Sequence, residues 1–134
     1  MKPNAKYIKN LLVAFEESPC AYTDLEELQS KSWVIDEKFL FHMRLLEDQG
    51  LVEGARQDRD LGYSTTIDGQ AHWSVAPIRL TAAGHDFAAS LGNKAIFDKA
   101  KTTLATSGLA VTMELTKLMA IRYAKDTLGL PLGE

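Results

Sequence analysis

Residues 33–54 constrain the fold of this chain more than any other segment. Asp36 is a favoured helix N-cap, and Glu37 places a negative charge in the first turn, where the helix dipole stabilises it. Apolar residues then recur at i, i+4 and i+7 on one helical face, at Phe39, Met43 and Leu46. Gly50 favours a helix end, and Leu51 begins an extended run. The segment therefore predicts a helix over residues 36–49 that passes directly into a strand.

Two further helices are predicted before this one. Residues 4–18 carry an apolar stripe at helical spacing, and Pro19 ends it. The stripe consists of Tyr7, Ile8, Leu11, Leu12 and Phe15. Thr23 and Glu26 have the spacing of a capping box, which predicts a short helix to about Ser30 with Leu25 and Leu28 buried. Residues 31–35 are then a connector, in part extended.

Downstream, the pattern predicts a hairpin followed by more helices. Residues 51–56 and 72–80 read as strands, the second with Pro77 tolerated only at an edge or a bulge. The polar segment 57–70 between them contains Asp68 and Gly69, a strong hairpin signal. Thr81 is expected to cap a helix over residues 82–91. Helices over 94–106 and 111–128 follow, with breaks at residues 92–93 and 107–108.

The order helix, helix, helix, strand, wing, strand, helix predicts an α+β fold, mostly helical with a small antiparallel wing. This order of elements is typical of a winged helix-turn-helix with a C-terminal helical extension. At 134 residues and 46% hydrophobic, the chain can form one core and is too short for two ordinary domains. We expect residues 1–92 to form the winged-helix domain. Residues 93–134 are expected to extend the same core and to take part in dimerisation.

Several segments resemble a family of small phage and bacterial proteins known as domain of unknown function 2513. They are the N-terminal helix, residues 42–54, residues 77–87 and the closing residues 128–130. The most distinctive is the run from Arg79 to Phe87, with the pattern Arg-Leu-Thr-x-x-Gly-His-x-Phe. The resemblance implies a winged-helix fold and occurrence in prophages, and it carries no established activity.

Composition restricts the classes of function. The sequence has no glycine-rich phosphate loop, no nucleophile elbow and no His or Cys residues at metal-ligand spacing. His42, His72 and His85 lie on three different predicted elements. We therefore expect no enzyme activity, no metal and no cofactor. The single cysteine, Cys20, fits a reducing compartment, and no membrane span or secretory apolar core is predicted, so the expected location is the cytoplasm.

The charge distribution bears on nucleic-acid binding. The net charge is −3, whereas a DNA-binding domain is commonly basic because it displaces counterions from phosphates. Residues 1–50 carry six Lys and Arg against nine Asp and Glu. Only residues 93–134 are net positive, with six against four. Residues 1–50, which contain the helix with the pattern of a DNA-recognition helix, are thus acidic.

Candidate DNA contacts lie on the third helix and on the wing. The predicted set is Lys38, Phe41, His42, Arg44, Arg56 and Arg59, with His42 at the edge of the exposed face. Wing arginines can reach the minor groove or the backbone, although a solvated hairpin of alternating charge explains them equally well. Leu40 and Phe41 stand where many winged helices carry polar base-reading residues. Three interpretations fit Leu40 and Phe41: they pack inside the fold, they dock onto another protein, or Phe41 contacts a thymine methyl group.

The last helix carries more apolar surface than one face can bury. One side can pack on the core, and the other predicts a homodimer, the commonest assembly. Packing against residues 94–106 is the alternative. The predicted dimer interface comprises Leu115, Leu118, Met119, Arg122 and Tyr123.

Two functions fit these patterns. The first is a small transcriptional regulator of phage or prophage type that binds double-stranded DNA as a dimer. The second is a non-enzymatic adaptor or inhibitor that docks onto a host or phage protein, for example in an anti-host or anti-defence role. The fold, the wing arginines and the cationic C-terminal helices favour DNA. The acidic N-terminal half and the apolar Leu40 and Phe41 favour a protein partner.

Overall fold

Three helices precede the first strand in the computed structural model, which describes residues 1–54, 61–65, 67, 71–73 and 75–129. The helices are α1 (Ala5–Glu16), α2 (Leu25–Ser30), α3 (Glu37–Asp48), α4 (Ala82–Leu91) and α5 (Lys94–Leu128). The strands are β1 (Val52–Gly54), β2 (Tyr63–Thr65), β3 (Ala71–Trp73) and β4 (Ile78–Leu80). The chain is thus mixed α+β, mostly helical with small two-stranded antiparallel sheets.

Helix α3 begins and ends where the sequence predicts. The Asp36 carboxylate accepts the Phe39 N–H at 2.9 Å, and Gly50 has the left-handed φ of 70° that follows many helix ends. The predicted inward residues Phe39, Met43 and Leu46 have no exposed surface. Local capping and apolar spacing agree on this helix, and the prediction is confirmed.

The start of α2 differs from the prediction by one residue. Asp24, not Thr23, is the N-cap, and its side chain accepts the Glu27 N–H at 2.8 Å. Thr23 instead forms an antiparallel bridge with Ile78, with a backbone hydrogen bond of 2.8 Å in each direction. Its hydroxyl donates to the Glu27 carboxylate at 2.6 Å, which lowers the pKa of Glu27. A buried threonine at this bridge links the loop before α2 to β4.

The second predicted strand is interrupted. Strand β1 pairs antiparallel with β4, in the register Val52 with Leu80, which confirms the predicted pairing. The predicted strand over residues 72–80 is instead divided into β3 and β4, with Pro77 just before β4. Strand β2 lies in a segment predicted as polar turn and pairs with β3. The hairpin signal at Asp68 and Gly69 lies outside the described residues.

A close contact joins the turn after α3 to the start of α4. Thr81 caps α4 as predicted, since its hydroxyl oxygen accepts the Gly84 N–H at 3.0 Å. The same hydroxyl donates to the Gly50 carbonyl at 2.5 Å, and the Thr81 N–H donates to the Leu51 carbonyl at 3.0 Å. A Cβ added to Gly84 would lie 2.2 Å from the Leu51 carbonyl oxygen. The Arg-Leu-Thr-x-x-Gly run is therefore built around a backbone contact that only glycine allows.

The chain divides into two compact units. The first comprises residues 11–85 with Met1, and the second comprises residues 2–10 and 86–134. The apolar core of the first includes Leu11, Leu12, Leu25, Leu28, Phe39, Met43, Leu46, Leu51, Ile78 and Leu80. That of the second includes Ile8, Phe87, Leu91, Ile96, Ala100, Leu104 and Leu109. The predicted boundary at residue 92 stays a prediction.

The two helices predicted after residue 93 form one long element with a kink. Asn93 caps α5 by accepting the Ile96 N–H at 3.1 Å. Gly108 interrupts it with φ 86° and ψ 177°, so the predicted break is present. Helix resumes at once after Gly108, earlier than the predicted start at residue 111.

Helix α5 has the length and composition of a membrane span, contrary to the expectation that no segment has them. It is 35 residues long and contains an 18-residue stretch of mean hydropathy 1.2, of which 22% is buried inside the protein. Core helices of soluble proteins, which are mostly buried, can have the same length and hydropathy, so length and composition do not assign a location. The cytoplasmic location stays a prediction.

Candidate functional site

The outward side of α3 is the candidate site. At about 100° per residue, Glu37, Phe41, Arg44 and Asp48 fall on one line, opposite the buried line of Phe39, Met43 and Leu46. Glu37, Arg44 and Asp48 are exposed, whereas Phe41 is half-buried. Lys38 is exposed to one side of this line. We call Glu37, Lys38, Phe41, Arg44 and Asp48 the α3 face.

Charge on the α3 face and its edge is nearly balanced. Arg44 donates to the Glu47 carboxylate at 2.8 Å, and the Glu47 side chain is only 6% exposed. An exposed ion pair contributes little stability. This one nevertheless occupies the Arg44 guanidinium, which would otherwise be available to a ligand. Two cations, Lys38 and Arg44, stand against the carboxylates of Glu37, Glu47 and Asp48. Arg44 therefore binds a phosphate only when it exchanges Glu47 for it.

Apolar side chains flank the charged residues of this helix. Leu40, Phe41 and Leu45 are all half-buried. The Phe41 ring packs edge-on against the His42 ring, with centroids 5.2 Å apart. Phe41 thus belongs in part to the fold and in part to the surface. It offers a van der Waals contact beside the charges and no hydrogen bond.

The prediction that His42 lies at the edge of the exposed face is wrong. Its side chain is 1% exposed because it projects about 60° from Phe39, toward the core. The Nδ1–H donates to the Lys38 carbonyl at 2.7 Å, since a carbonyl oxygen can only accept. Burial lowers the pKa of His42 below its ordinary 6.5, although the bond to Lys38 opposes this. His42 holds Phe41 and the first turn of α3 in place and cannot touch a ligand.

This burial predicts a pH dependence of stability. The folded protein favours the neutral ring, so the unfolded chain binds the proton more readily below pH 6.5. The stabilisation is complete above that pH and is lost as the pH falls through the lower pKa of the folded state. We expect the urea midpoint to drop between about pH 7 and pH 5, and His42→Gln to remove much of this slope. His85→Gln is the matched control, because that side chain is exposed.

The wing arginines Arg56 and Arg59 lie outside the described residues. Arg79 of β4 lies directly opposite Glu53 in the β1–β4 pair. Its Nη2 and Nε donate to the same Glu53 oxygen at 2.6 and 3.0 Å. Opposite charges at facing strand positions explain this pair. This pair was not predicted from the sequence, because it depends on the register between the two strands.

A depression of about 130 Å³ lies between the end of α1 and β4. Glu16, Cys20, Tyr22, Arg79 and His85 are among its lining residues. It is smaller than most small-molecule sites, which span about 300–1,000 Å³. His85 and Glu16 approach to 4.0 Å, too far for a hydrogen bond. Among the described residues, no group of three or more His, Cys, Asp or Glu side chains could hold a metal ion.

The predicted dimer residues differ in their exposure on α5. Leu118 and Tyr123 are 57% and 55% exposed, and Arg122 is exposed too, whereas Leu115 and Met119 are half-buried. The buried line of this part of the helix is Leu109, Thr112 and Thr116. Large apolar residues remain exposed elsewhere on it, at Val111, Ile121 and Leu128. Helix α5 therefore has the expected excess of exposed apolar surface, and part of this surface lies outside the predicted interface residues.

Comparison with known proteins identifies the family and no activity. No curated protein and no solved structure matches the chain. A family model described as "Hypothetical protein (DUF2513)" matches residues 2–110, which include α1 to α4, the β strands and the start of α5. The match covers most of the chain, and the protein belongs to the DUF2513 family.

Proposed function

We propose that this protein is a winged-helix regulator that binds double-stranded DNA through the α3 face. The bridge between Thr23 and Ile78 carries the proposal. It supplies an extended residue between the first two helices that pairs with the strand after the wing. Together with the β1–β4 pair, this gives the order helix, bridge, helix, helix, strand, hairpin, strand. A wing that follows a recognition helix in this order is the arrangement of winged-helix proteins.

Within this proposal, α3 enters the major groove with its first turns toward the bases. Lys38 and Arg44 contact phosphates or base edges, and Phe41 contacts the sugar or a thymine methyl group. Arg56 and Arg59 add backbone or minor-groove contacts from the wing. Because few cations face the duplex, roughly three to five phosphates are engaged per subunit. That number predicts a slope of log K against log salt of about −2.7 to −4.5 per subunit.

A charge-balanced pair of variants tests the proposal. Arg44→Ala should weaken binding to a short duplex by about tenfold, as expected for the loss of one arginine contact. Glu47→Gln breaks the same ion pair but keeps the arginine and removes a negative charge, so it should tighten binding. The measurement is fluorescence anisotropy at ~50 mM salt, where weak electrostatic binders still register.

Lys99→Ala, an exposed lysine of α5, is the control for loss of charge alone. No binding by the parent protein, or equal losses for Arg44→Ala and Lys99→Ala, would refute the proposed DNA contact.

The second candidate is a protein-docking module that uses the same face. The observation in its favour is the half-buried apolar group Leu40, Phe41 and Leu45 beside a net acidic set of charges. Aromatic side chains of this kind are enriched among the residues that dominate protein interfaces. If DNA binding fails while Phe41→Ala leaves the fold intact, the α3 face is better explained as a docking surface for a host or phage protein.

A further inference from the structure

Helix α5 presents two opposite sides after Gly108. Leu109, Thr112 and Thr116 are buried on one side. The other side carries residues that alternate at spacings of three and four, a heptad pattern. We call these residues the outer stripe: Val111, Glu114, Leu118, Ile121, Lys125 and Leu128. At about 100° per residue, the stripe is centred roughly 175° from the buried line, so nothing in its own unit covers it.

Most of the outer stripe is open to solvent. Its large apolar members are exposed at 51% for Val111, 57% for Leu118, 43% for Ile121 and 69% for Leu128. Four aliphatic side chains spread over about 25 Å of helix form an apolar seam. Two charges of opposite sign, Glu114 and Lys125, interrupt the seam near its ends. A partner must cover the aliphatic groups and provide an opposite charge for each of the two charged side chains.

The stripe is complementary to itself when reversed. If two copies run antiparallel about a point between Leu118 and Ile121, Leu118 faces Ile121 of the second copy. The same register places Glu114 opposite Lys125 and Val111 opposite Leu128. Each layer then joins an a position to a d position, as antiparallel helix pairs require. A parallel pair would instead place Glu114 against its own copy and Lys125 against its own copy.

We propose that the outer stripe binds a second copy of this chain as an antiparallel helix pair, with Glu114 and Lys125 forming two symmetric ion pairs. The dimer depends on α5 alone and is independent of whether the α3 face binds DNA. It differs from the interface expected from the sequence: Leu118 stays at the centre, and Ile121, Glu114 and Lys125 replace residues nearer the buried side.

A lipid bilayer is the competing occupant, because α5 is long and apolar enough to span one. The hydrocarbon of a bilayer offers no opposite charge to Glu114 or Lys125, and burying an ionised side chain in it is costly. A second copy places Lys125 opposite Glu114 and Glu114 opposite Lys125. Self-complementarity therefore favours the protein partner.

Charge reversals of the full-length protein test the proposal by analytical ultracentrifugation. The parent chain should sediment at micromolar concentration with twice its mass of 14.8 kDa. Glu114→Lys and Lys125→Glu should each raise the dimer dissociation constant roughly tenfold or more, because both symmetric pairs become repulsive. The double variant should restore the parent value. In a parallel pair each single reversal exchanges one like-charge contact for another, so restoration is specific to the antiparallel register.

Lys99→Glu is the matched control, since it makes the same charge change on α5 before the kink. It should leave the dissociation constant unchanged, and circular dichroism should show equal helix content in all variants. A parent chain that stays monomeric at ~100 µM, or a double variant as weak as either single one, would overturn the proposal. So would flotation of the parent with vesicles of phosphatidylcholine and phosphatidylglycerol, which would assign the stripe to a membrane.

Discussion

Gly84→Ala is expected to lower the free energy of unfolding by about 2–3 kcal/mol, a large share of the stability of a domain this size. The new methyl carbon would lie 2.2 Å from the Leu51 carbonyl oxygen and 3.3 Å from the Leu80 Cβ. The Leu51 carbonyl is held in place because it accepts the Thr81 N–H at 3.0 Å. Relief therefore requires α4 to move away from the turn after α3, which stretches this bond and the Thr81 cap.

Gly92→Ala is the matched control for this substitution. A Cβ at Gly92 would meet the Ala89 carbonyl oxygen at 3.2 Å, a contact that a small local shift can relieve. We expect urea unfolding to show a loss for Gly92→Ala of under about 1 kcal/mol, well below that for Gly84→Ala. Similar losses for the two variants would mean that the contact between Gly84 and Leu51 does not constrain the fold.

Phe39→Ala should destabilise the protein even more, by about 3–5 kcal/mol. Its ring has no exposed surface and packs edge-on against Trp33, with centroids 6.3 Å apart. Removing it leaves a cavity between α3 and the connector before it, and the capped first turn of α3 prevents collapse into that space. Chemical denaturation should show a large drop in midpoint with an unchanged slope.

Phe41→Ala, two residues along the same helix, is the contrasting variant. Phe41 is half-buried, so its loss should cost less stability, about 1–2 kcal/mol. Its distinctive effect should be on binding by the α3 face. An equal loss of stability for Phe39→Ala and Phe41→Ala would place Phe41 in the core and remove it from the candidate site.

Local signals in the sequence were sufficient for the central helices. Asp36 and Gly50 delimit α3, Thr81 caps α4, and Asn93 and Gly108 mark breaks, because each acts through hydrogen bonds or backbone angles within a few residues. The β1–β4 pairing also followed from the sequence, since a glycine stop and an extended run precede a polar loop. These features need no knowledge of distant contacts.

Features that depend on distant contacts escaped prediction. Thr23 has the sequence pattern of a cap, yet its pairing with Ile78 takes it into the sheet and leaves Asp24 as the cap. His42 is polar, but its position about 60° from Phe39 on α3 buries it, and its Nδ1–H donates to the neighbouring Lys38 carbonyl. On α5, the apolar spacing predicted more apolar surface than one face can bury. It did not predict which line of residues packs inward. Two threonines, Thr112 and Thr116, occupy the buried side and displace aliphatic residues outward.

The most direct test of DNA binding through α3 is an NMR titration of the isotope-labelled chain with a short duplex at ~50 mM salt. If α3 lies against DNA, backbone amide shifts should concentrate in residues 37–48, with Lys38, Phe41 and Arg44 among the largest. Amides of the outer stripe on α5 should move little. Shifts confined to α5, or none in α3 at saturating duplex, would contradict DNA binding by the α3 face.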